Sequence, residues 1–428
     1  MSEKTIKAQV NSEIGELEYV ITHSPGPEIQ GMSPEHASHE LYNDLLNLSV
    51  ARPEHDEFNS VLKEVAQVLE VRELLVDVLS LQETKRRLIE RVCGHETSNG
   101  LFHQLMDAEP EALANQLIEG VNVKRNTFTK YLDKNRFALP PIPNLFFTRD
   151  PSFSINNHVL IGGMATHVRQ REAYIMEAIF ESHPVFASSA IKLSSFSEHP
   201  AQVHIEGGDV LIAREDILLC GLSSRTNSYG IDSLIEWMKT MPQTRHLIIQ
   251  ELPASPKSFI HLDMVFTFLD THQCMIYEPV IQRTNRYNTY HLIVDNGNLV
   301  QIKKTDGLLN TLRSLGMELE PLYCGGSTDS IAMEQEQWQS GANFFAVGPG
   351  KVIGYARNWH SIESLSDNGY AVIPAHELLS RRIKLSDYQK YVITIRGDEL
   401  SRGGGGARCM TMPLSRKDPD RNTIINQH

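Results

Sequence analysis

Long hydrophobic runs are absent from this sequence. No stretch of about 18 apolar residues occurs in its 428 residues, and the first ten residues do not form the apolar core of a signal peptide. A transmembrane helix and a secretory signal are therefore not expected. We expect the protein to stay in the cytoplasm, without a membrane partner.

Positive charge is also scarce. The chain has 40 lysine and arginine residues against 53 aspartate and glutamate residues, which gives a net charge of -13. Nucleic acids and anionic lipids attract basic surfaces. The charge balance therefore argues against nucleic acid as a partner, although it is compatible with a local cationic pocket.

Cysteine is sparse, and no two cysteines form a Cys-x-x-Cys pair. The five cysteines are widely spaced, so we expect neither a disulfide framework nor a zinc knot. Cys220 and Cys274 lie inside apolar runs, which is typical of small buried core residues. Cys409 does not lie in such a run and requires another explanation.

Cys409 comes shortly after four consecutive glycines at positions 403–406. Glycines let a backbone lie close to a ligand, because no Cβ atom is in the way. No Gly-Lys-Ser/Thr sequence follows, so a phosphate-binding loop is excluded. The stretch is either a flexible glycine-rich tail that carries a cysteine or a loop that presents a nucleophilic thiol.

Three motifs upstream of this thiol contain acids and an imidazole. Asp150 ends the motif Asn-Leu-Phe-Phe-Thr-Arg-Asp, Glu206 lies in His-Ile-Glu-Gly-Gly-Asp, and His261 and Asp263 lie in Phe-Ile-His-Leu-Asp. Because His261 and Asp263 alternate with apolar residues, we predict that both face the same side of a strand. Together with Cys409 they offer a nucleophile, an acid–base group and carboxylates.

Each of these groups also has a structural explanation when it is taken singly. Asp150 precedes a proline and fits an Asx turn, and Glu206 fits a turn carboxylate. A lone histidine such as His261 often belongs to the core, and Asp263 fits a strand carboxylate paired with a base. The case for catalysis depends on their combination.

The same region also allows a metal site. His204, Glu206, His261 and Asp263 are residue types that bind divalent metals, and His-x-Glu and His-x-Asp on strands are plausible ligand pairs. A metal-dependent hydrolase leaves Cys409 and the glycine run without a role. We therefore favour a cysteine hydrolase with no metal and no cofactor.

The four motifs, in this order and ending in Arg-Cys-Met-Thr-Met-Pro around Cys409, resemble those of the arginine deiminases. These are cysteine hydrolases of the guanidino-group-modifying (pentein) superfamily, and the resemblance covers nearly the whole chain. It implies hydrolysis of L-arginine to L-citrulline and ammonia through an amidino-thioether on Cys409. An amidinotransferase and a dihydrolase that forms ornithine are the alternatives within the superfamily.

The resemblance also implies a role for each catalytic group. Asp150 and Asp263 hold the planar guanidinium by its N–H edges. His261 protonates the departing ammonia and then activates water, with Glu206 behind it. Arg408 is expected to lower the pKa of the thiol that follows it.

Five further residues match substrate-binding positions of the family. Arg169 and Arg225 match positions that bind the α-carboxylate, and Arg402 in the glycine loop resembles a third such cation. Asn144 matches the substrate-binding amide, and Phe147 resembles a pocket wall. Taken singly, each arginine also fits a surface residue in an exposed ion pair.

Two features depart from the family pattern. Ser224 stands where many members have Glu before an Arg-Thr pair, which bears on substrate choice. The glycine run between Arg402 and Cys409 is longer than in some relatives, which makes the role of Arg402 the least secure.

A unit of strand, short polar turn, strand, glycine, loop and helix recurs along the chain. Copies occupy residues 152–180, 209–238, 264–279 and 344–355, and residues 14–25 form a fifth. The first three turns are roughly 55 to 60 residues apart, a spacing too long for a solenoid and suited to a β/α unit repeated around an axis. The catalytic motifs directly precede three of these units.

With the fold of the resembled family, this repeat predicts an α/β protein. We expect residues 1–428 to form a five-bladed, pseudo-symmetric ββαβ propeller, the pentein fold. Residues 53–136 differ, because their apolar residues recur at helical spacing, and we predict an inserted all-helical subdomain there. The expected partner is the small molecule L-arginine, and we expect a homo-oligomer.

Overall fold

A computed structural model describes residues 5–31, 44–94, 99–132, 136–187, 190–282 and 286–418. In these ranges the strands are β1 (Leu17–Thr22), β2 (Gln67–Glu70), β3 (Val121–Asn122), β4 (Phe137–Leu139), β5 (Ser152–Ile155), β6 (His158–Ile161), β7 (Ala190–Lys192), β8 (Val210–Arg214), β9 (Ile217–Leu222), β10 (Arg245–Glu251), β11 (Phe266–Phe268), β12 (Gln273–Ile276), β13 (Thr289–Asp295), β14 (Asn298–Thr305), β15 (Glu320–Tyr323), β16 (Phe345–Gly348), β17 (Lys351–Tyr355), β18 (Ala371–Pro374), β19 (Tyr391–Ile395) and β20 (Met412–Arg416).

The α-helices in the same ranges are α1 (Pro27–Gln30), α2 (Leu48–Lys63), α3 (Val71–Leu79), α4 (Gln82–Cys93), α5 (Asn99–Met106), α6 (Pro110–Glu119), α7 (Phe128–Leu132), α8 (Gln170–Ser182), α9 (Ser228–Met238), α10 (Glu278–Ile281), α11 (Leu308–Ser314), α12 (Ser330–Trp338), α13 (Trp359–Asp367) and α14 (Ala375–Leu379).

One pairing pattern recurs in the sheets. A middle strand pairs antiparallel with the strand before it in the unit and parallel with a strand that follows a crossover. The middle strands are β6, β9, β12 and β17, and β1 has the same relation to β20 and β2. The sheet of β9 is extended by β13 and β14, and that of β17 by β18. The protein is therefore an α/β protein built from repeated sheet units.

The predicted turns lie between the paired strands of these units. Asn156 and Asn157 separate β5 from β6, and Asn156 has a φ of 50°, a left-handed conformation that asparagine tolerates better than most residues. Glu215 and Asp216 separate β8 from β9 in the same way. A short polar turn between two apolar runs was thus sufficient to predict these hairpins.

The predicted all-helical insert is partly wrong. Its first helix, α2, begins at Leu48, because Asn47 caps it by accepting a hydrogen bond of 3.1 Å from the Ser49 backbone N–H. The segment also contains β2, which pairs with β1, and β3, which pairs with β4. The edge of β1 needs backbone hydrogen-bond partners, and residues 67–70 supply them. Helices α3 and α4 pack against α8 of the first hairpin unit.

The sheet units hold the predicted catalytic residues at equivalent positions. Asp150 lies two residues before β5, Asp263 lies three residues before β11, and Cys409 lies three residues before β20. Short 3-10 turns, Gly207–Asp209 and Leu262–Met264, lead into β8 and β11. None of the helices in the described ranges has both the length and the apolar character needed to cross a membrane.

Candidate active site

A small buried cavity of about 20 Å³ lies where the units meet. This volume has room for about one water molecule. Most of the predicted site residues line it, together with the glycine loop: Asn144, Phe147, Asp150, Arg169, Arg225, Ile260, His261, Gly403, Gly404, Gly405 and Cys409. The structure therefore brings the predicted thiol, imidazole and first carboxylate to one place.

His261 and Glu206 form the acid–base pair of this cavity. The Nε2 atom of His261 lies 2.9 Å from Oε2 of Glu206, and its Nδ1 atom lies 3.7 Å from Oδ1 of Asp150. Burial would lower the pKa of His261, but the carboxylates of Asp150 and Glu206 outweigh burial and raise it to about 9. Burial would likewise raise the pKa of Glu206, but the hydrogen bond with His261 and the charge of Arg169 lower it to about 2. The pair is therefore an imidazolium and a carboxylate near neutral pH.

We predicted that His261 and Asp263 face the same side of a strand, and this prediction is wrong. His261 has an extended backbone, and Asp263 lies in the 3-10 turn that follows it. The turn directs the two side chains apart, so that His261 contacts Glu206 while Asp263 contacts the thiol of Cys409. The sulfur atom lies 3.6 Å from Oδ2 of Asp263.

The Cys409 thiol is buried, and its surroundings disfavour the thiolate. Burial raises the pKa of the thiol well above its ordinary value, and the carboxylates of Asp263 and Asp150 raise it further. Arg408 lowers it only weakly. Arg408 thus lowers the pKa of the thiol as predicted, but burial and the two carboxylates outweigh its effect.

Arg408 is held between two buried acids. Its Nη1 atom donates to Oδ2 of Asp263 at 2.8 Å, and its Nε and Nη2 atoms each donate to Glu13 at 3.0 Å. Burial would lower the pKa of Arg408 and raise that of Glu13, but the mutual attraction prevails, and Glu13 has a pKa of about 2. Sequence reasoning missed Glu13, because nothing in the local sequence connects it to the distant thiol.

Arg169 lies at the catalytic carboxylates. Its Nη1 atom donates to Oδ2 of Asp150 at 2.8 Å and lies 3.6 Å from Oε2 of Glu206. Glu172 holds the rest of the guanidinium, with an Nη2–Oε2 distance of 2.8 Å. The predicted α-carboxylate ligand is thus engaged by acids of its own chain. Glu172 was also missed, although its i+3 spacing from Arg169 signals a helical ion pair.

Arg225, Asn144 and Phe147 line the cavity as predicted. The Nη1 atom of Arg225 is buried and has no hydrogen-bond partner among the described residues. Phe147 packs closely on the glycine loop, where a Cβ atom at position 405 would lie 2.4 Å from its ring. This contact accounts for one of the consecutive glycines.

Arg402 does not line the cavity. It is half exposed and pairs with Asp44 and with Glu399, whose Oε2 atom lies 3.4 Å from its Nη1 atom. The prediction that Arg402 binds substrate is therefore not supported by its position. Asp44 and Glu399 hold the guanidinium of Arg402, and the residues of this loop that line the cavity, Gly403 to Gly405, come after it.

The predicted metal-binding alternative does not match the geometry. Ligand atoms of Asp150, Glu206 and His261 lie within 4.8 Å of one another, but His204 and Asp263 are not in this group. The guanidinium of Arg169 already lies against two of the three residues. A positive side chain at this place disfavours a divalent cation.

Asn343 is a further residue that sequence reasoning missed. Its side-chain oxygen accepts hydrogen bonds from the backbone N–H groups of Arg408 (3.0 Å) and Cys409 (3.2 Å), and its amide donates to the Asp263 carbonyl at 3.0 Å. It lies two residues before β16, which is the position that Asp150 has before β5. The repeat therefore contained a signal for Asn343.

The comparisons with known proteins agree with this arrangement. The model of the family "Arginine deiminase" matches residues 39–416. The chain belongs to the arginine deiminase family. The resemblance inferred from the four motifs is thereby confirmed, and membership makes the chain a hydrolase of guanidino groups.

Curated arginine deiminases are similar along almost their whole length. The arginine deiminase of Staphylococcus aureus strain Newman is 32% identical over 430 aligned positions, covering 96% of this chain and 98% of the relative, and that of strain COL gives the same values. Among solved structures, an amidinotransferase from Microseira wollei has a TM-score of 0.52 at 14% identity, covering 96% of this chain and 98% of its own. The enzyme DDAH from Pseudomonas aeruginosa has a TM-score of 0.50 at 13% identity, covering 93% and 99%. At such identities the structural likeness shows a shared fold.

Proposed function

We propose that this member of the arginine deiminase family hydrolyses L-arginine to L-citrulline and ammonia. The observation that carries the proposal is the shared cavity of Cys409, His261 and Asp150, with Asp263 beside the sulfur and Glu206 on the imidazole. A planar guanidinium needs carboxylates at its N–H edges, and a thiol must reach its central carbon. These groups meet both requirements.

Substrate binding requires the cavity to widen, because its volume of about 20 Å³ has room for about one water molecule. The substrate guanidinium takes the place that the guanidinium of Arg169 has at Asp150, and it also contacts Asp263. Arg169 then turns outward and joins Arg225 at the α-carboxylate. Asn144 and Phe147 hold the remainder of the substrate.

The first half-reaction forms a covalent intermediate. The positive charge of the bound guanidinium favours the thiolate of Cys409 over the thiol, and the thiol proton is released to solvent water. The sulfur then bonds to the guanidino carbon, and the protonated His261 gives its proton to the departing ammonia as the C–N bond breaks. An amidino-thioether remains on Cys409.

The second half-reaction releases the product. Water attacks the same carbon, and the now neutral His261 accepts its proton while Glu206 stabilises the imidazolium. The C–S bond breaks as the hydroxyl proton of the tetrahedral carbon passes to solvent water, and citrulline leaves with the thiolate of Cys409 restored. These reaction steps use water and the protein's own side chains, and they require no cofactor.

We also propose that the five sheet units close into a five-bladed propeller of the pentein type, with residues 53–136 as an inserted subdomain. The recurring pairing of β6, β9, β12, β17 and β1 supports five equivalent units. We further propose that the protein is a homo-oligomer and that it is located in the cytoplasm. Light scattering of the purified protein tests the oligomeric state.

The reaction is tested with arginine and mass analysis of both products and protein. Citrulline and an adduct on Cys409 are expected from the wild type. Cys409→Ala should lose at least about a thousandfold in kcat, because the covalent step is removed. Cys93→Ala is the matched control and should retain turnover, since Cys93 lies in helix α4 away from the cavity.

Other results would contradict the proposal. Undiminished citrulline formation by Cys409→Ala would exclude the thiol mechanism. Ornithine as the product would indicate a dihydrolase, and transfer of the amidino group to an added amine would indicate an amidinotransferase. Loss of activity with a chelator but not with a thiol-alkylating reagent would indicate a metalloenzyme.

A further inference from the structure

A helix at the start of the proposed insert contacts the residues that lead into the glycine loop. Helix α2 carries Glu54, which is 2% exposed. Its Oε1 atom accepts a hydrogen bond from the backbone N–H of Asp398 at 3.0 Å, and its Oε2 atom accepts one from that of Leu400 at 3.0 Å. The backbone N–H of Glu399 donates to both oxygens, at 3.2 and 3.1 Å. One buried carboxylate therefore holds three consecutive backbone donors.

A carboxylate of this kind fixes the backbone strongly. Hydrogen bonds to a charged acceptor are about twice as strong as neutral ones, and successive N–H groups in a turn form a concave site for a negative charge. A buried donor that loses its acceptor is costly, because it has no water to replace the lost bond. Residues 398–400 are therefore tied to helix α2.

A cation holds the same turn from its carbonyl side. The Nη1 atom of Arg357 donates to the backbone oxygens of Gly397 at 3.2 Å and Asp398 at 3.0 Å, and to the hydroxyl of Ser401 at 2.6 Å. Arg357 comes two residues after strand β17, so a sheet unit supplies this cation. The turn thus lies between an acid of helix α2 and a base of the sheet.

The turn leads directly to the wall of the catalytic cavity. A 3-10 turn, Leu400–Gly403, follows the contacts of Glu54, and glycines 403–405 line the cavity beside Cys409. Cys409 is only 3% exposed behind this wall. Glycines have wide conformational freedom, so their own sequence does not fix the wall in one place. Its position depends on the residues that anchor it.

We propose that Glu54 is a positioning residue of the active site, through which helix α2 fixes the glycine loop over Cys409. Glu54 does not touch the reacting atoms and acts through residues 398–400. Without its charge the loop is less ordered before substrate binds, and the cost of ordering the loop is added to the cost of binding. The expected rise in KM rests on the proposed function, whereas the expected exposure of Cys409 does not.

The first test is alkylation of Cys409 by iodoacetamide without substrate, followed by peptide mass analysis. Modification should be about tenfold faster in Glu54→Gln than in the wild type, as for the loss of one charge-assisted hydrogen bond. Cys274 is fully buried and reports global unfolding, so it should stay unmodified. Arg357→Gln removes the donors on the other side of the turn and should also accelerate the modification of Cys409.

The second test is steady-state kinetics with arginine. Glu54→Gln should raise KM about tenfold and change kcat less than about twofold, because the ordering of the loop is completed on binding. Glu336→Gln is the matched control. Glu336 is 6% exposed and accepts hydrogen bonds from the backbone N–H groups of His360 (2.7 Å) and Ser361 (2.9 Å), which do not line the cavity. This variant should lose stability in urea and keep the wild-type KM and alkylation rate.

Each contrary result has a distinct meaning. An unchanged alkylation rate of Cys409 in Glu54→Gln overturns the inference, and the same result in Arg357→Gln overturns it should Glu54→Gln fail to fold. Equal acceleration in Glu336→Gln, or modification of Cys274 together with Cys409, shows an effect on global stability and also overturns it. Absence of arginine turnover in the wild type rejects the proposed function, while the alkylation rates still decide the role of Glu54.

Discussion

Two arginines of the chain form ion pairs with the carboxylates that are proposed to bind the substrate guanidinium. Arg169 contacts Asp150, and Arg408 contacts Asp263. The charges of the buried acids are thereby neutralised before substrate arrives, which reduces the cost of burying them. Arg408 is fixed by Glu13 on its other side. Arg169 lies at the cavity itself, so it is the side chain that must move.

The titration of His261 gives a prediction for stability. Its pKa is raised from an ordinary value of 6.5 to about 9, so its contribution to the free energy of unfolding is complete below pH 6.5 and is lost as the pH rises toward 9. Glu206 has a lowered pKa, so its contribution to the free energy of unfolding depends on pH in the acid range. This contribution is complete above about pH 4.5 and is lost as the pH falls toward 2. In urea unfolding between pH 6.5 and 9, the wild type should lose on the order of 3 kcal/mol more than His261→Gln.

The matched control for this prediction is His376→Gln, because the His376 side chain is 70% exposed. Its stability should follow the same pH profile as the wild type. Parallel profiles for the wild type and His261→Gln would show that the imidazolium is not stabilised by its carboxylates in the folded protein.

The catalytic residues that were predicted from the sequence share one property: each lies in a short sequence motif that indicates its function. Cys409, His261 and Asp150 were found because each motif places a reactive side chain beside a glycine, proline or strand boundary. The contact of Arg402 with Asp44 was not predicted, because an arginine pairs with acids that are near in space, and Asp44 lies 358 positions away in the chain. Local sequence carries no information about that choice.

Among the strands and hairpins, too, the elements that were predicted have a local sequence signal, and the one that was missed depends on a distant partner. The hairpins of β5–β6 and β8–β9 were predictable because a polar turn interrupts alternating apolar residues. The short strand β2 was missed, since four residues between two helices show no reliable periodicity, and their conformation is decided by pairing with β1.

The turns that precede the strands bring the catalytic side chains close together. The backbone N–H of Leu262 donates to Oδ1 of Asp209 at 2.9 Å, which joins the turn before β8 to the turn before β11. The close approach depends on Gly208, because a Cβ atom there would lie 2.4 Å from Nδ1 of His261. The glycine is therefore required by the position of the imidazole and not by chain flexibility.

Gly208→Ala tests this contact. The added methyl group must displace the imidazole of His261, and a misplacement of about 1 Å should lower kcat/KM for arginine roughly a hundredfold, with a stability loss of about 1 to 3 kcal/mol. Gly100→Ala is the matched control, since a Cβ atom at that helical position meets nothing within 4 Å. Steady-state kinetics and urea unfolding measure the two effects. A Gly208→Ala variant as active as Gly100→Ala would contradict the close packing of turn and imidazole.

At the scale of the whole molecule, the two ends of the described chain meet next to the active site. Strand β20 pairs antiparallel with β1, so the residues that follow Cys409 are fixed by the residues that follow Glu13. The Glu13 carboxylate reinforces this closure across 395 positions by holding Arg408. The N-terminal segment therefore belongs to the structure that positions the thiol, although none of its described residues lines the cavity.

Two glutamates of the N-terminal segment allow this closure to be measured. Glu13 binds the buried Arg408 through two hydrogen bonds, whereas Glu16 forms an ion pair of 3.0 Å with Lys417 in which both side chains are more than half exposed. Glu13 is a buried acid that faces Arg408, Arg149 and Arg416, and its removal leaves these buried cations with one negative charge fewer, so Glu13→Gln should lose about 3 to 5 kcal/mol of the free energy of unfolding. Glu16→Gln should lose at most about 1 kcal/mol, because solvent screens the pair.

Activity separates a local effect of Glu13 from a general loss of stability. With one acid removed, Arg408 is held by Asp263 alone, and the carboxylate beside the sulfur is drawn further toward the arginine. Under conditions where both variants are fully folded, kcat for arginine should therefore fall in Glu13→Gln and stay near the wild-type value in Glu16→Gln. Equal unfolding free energies and equal kcat values for the two variants would mean that the chain ends do not position the thiol.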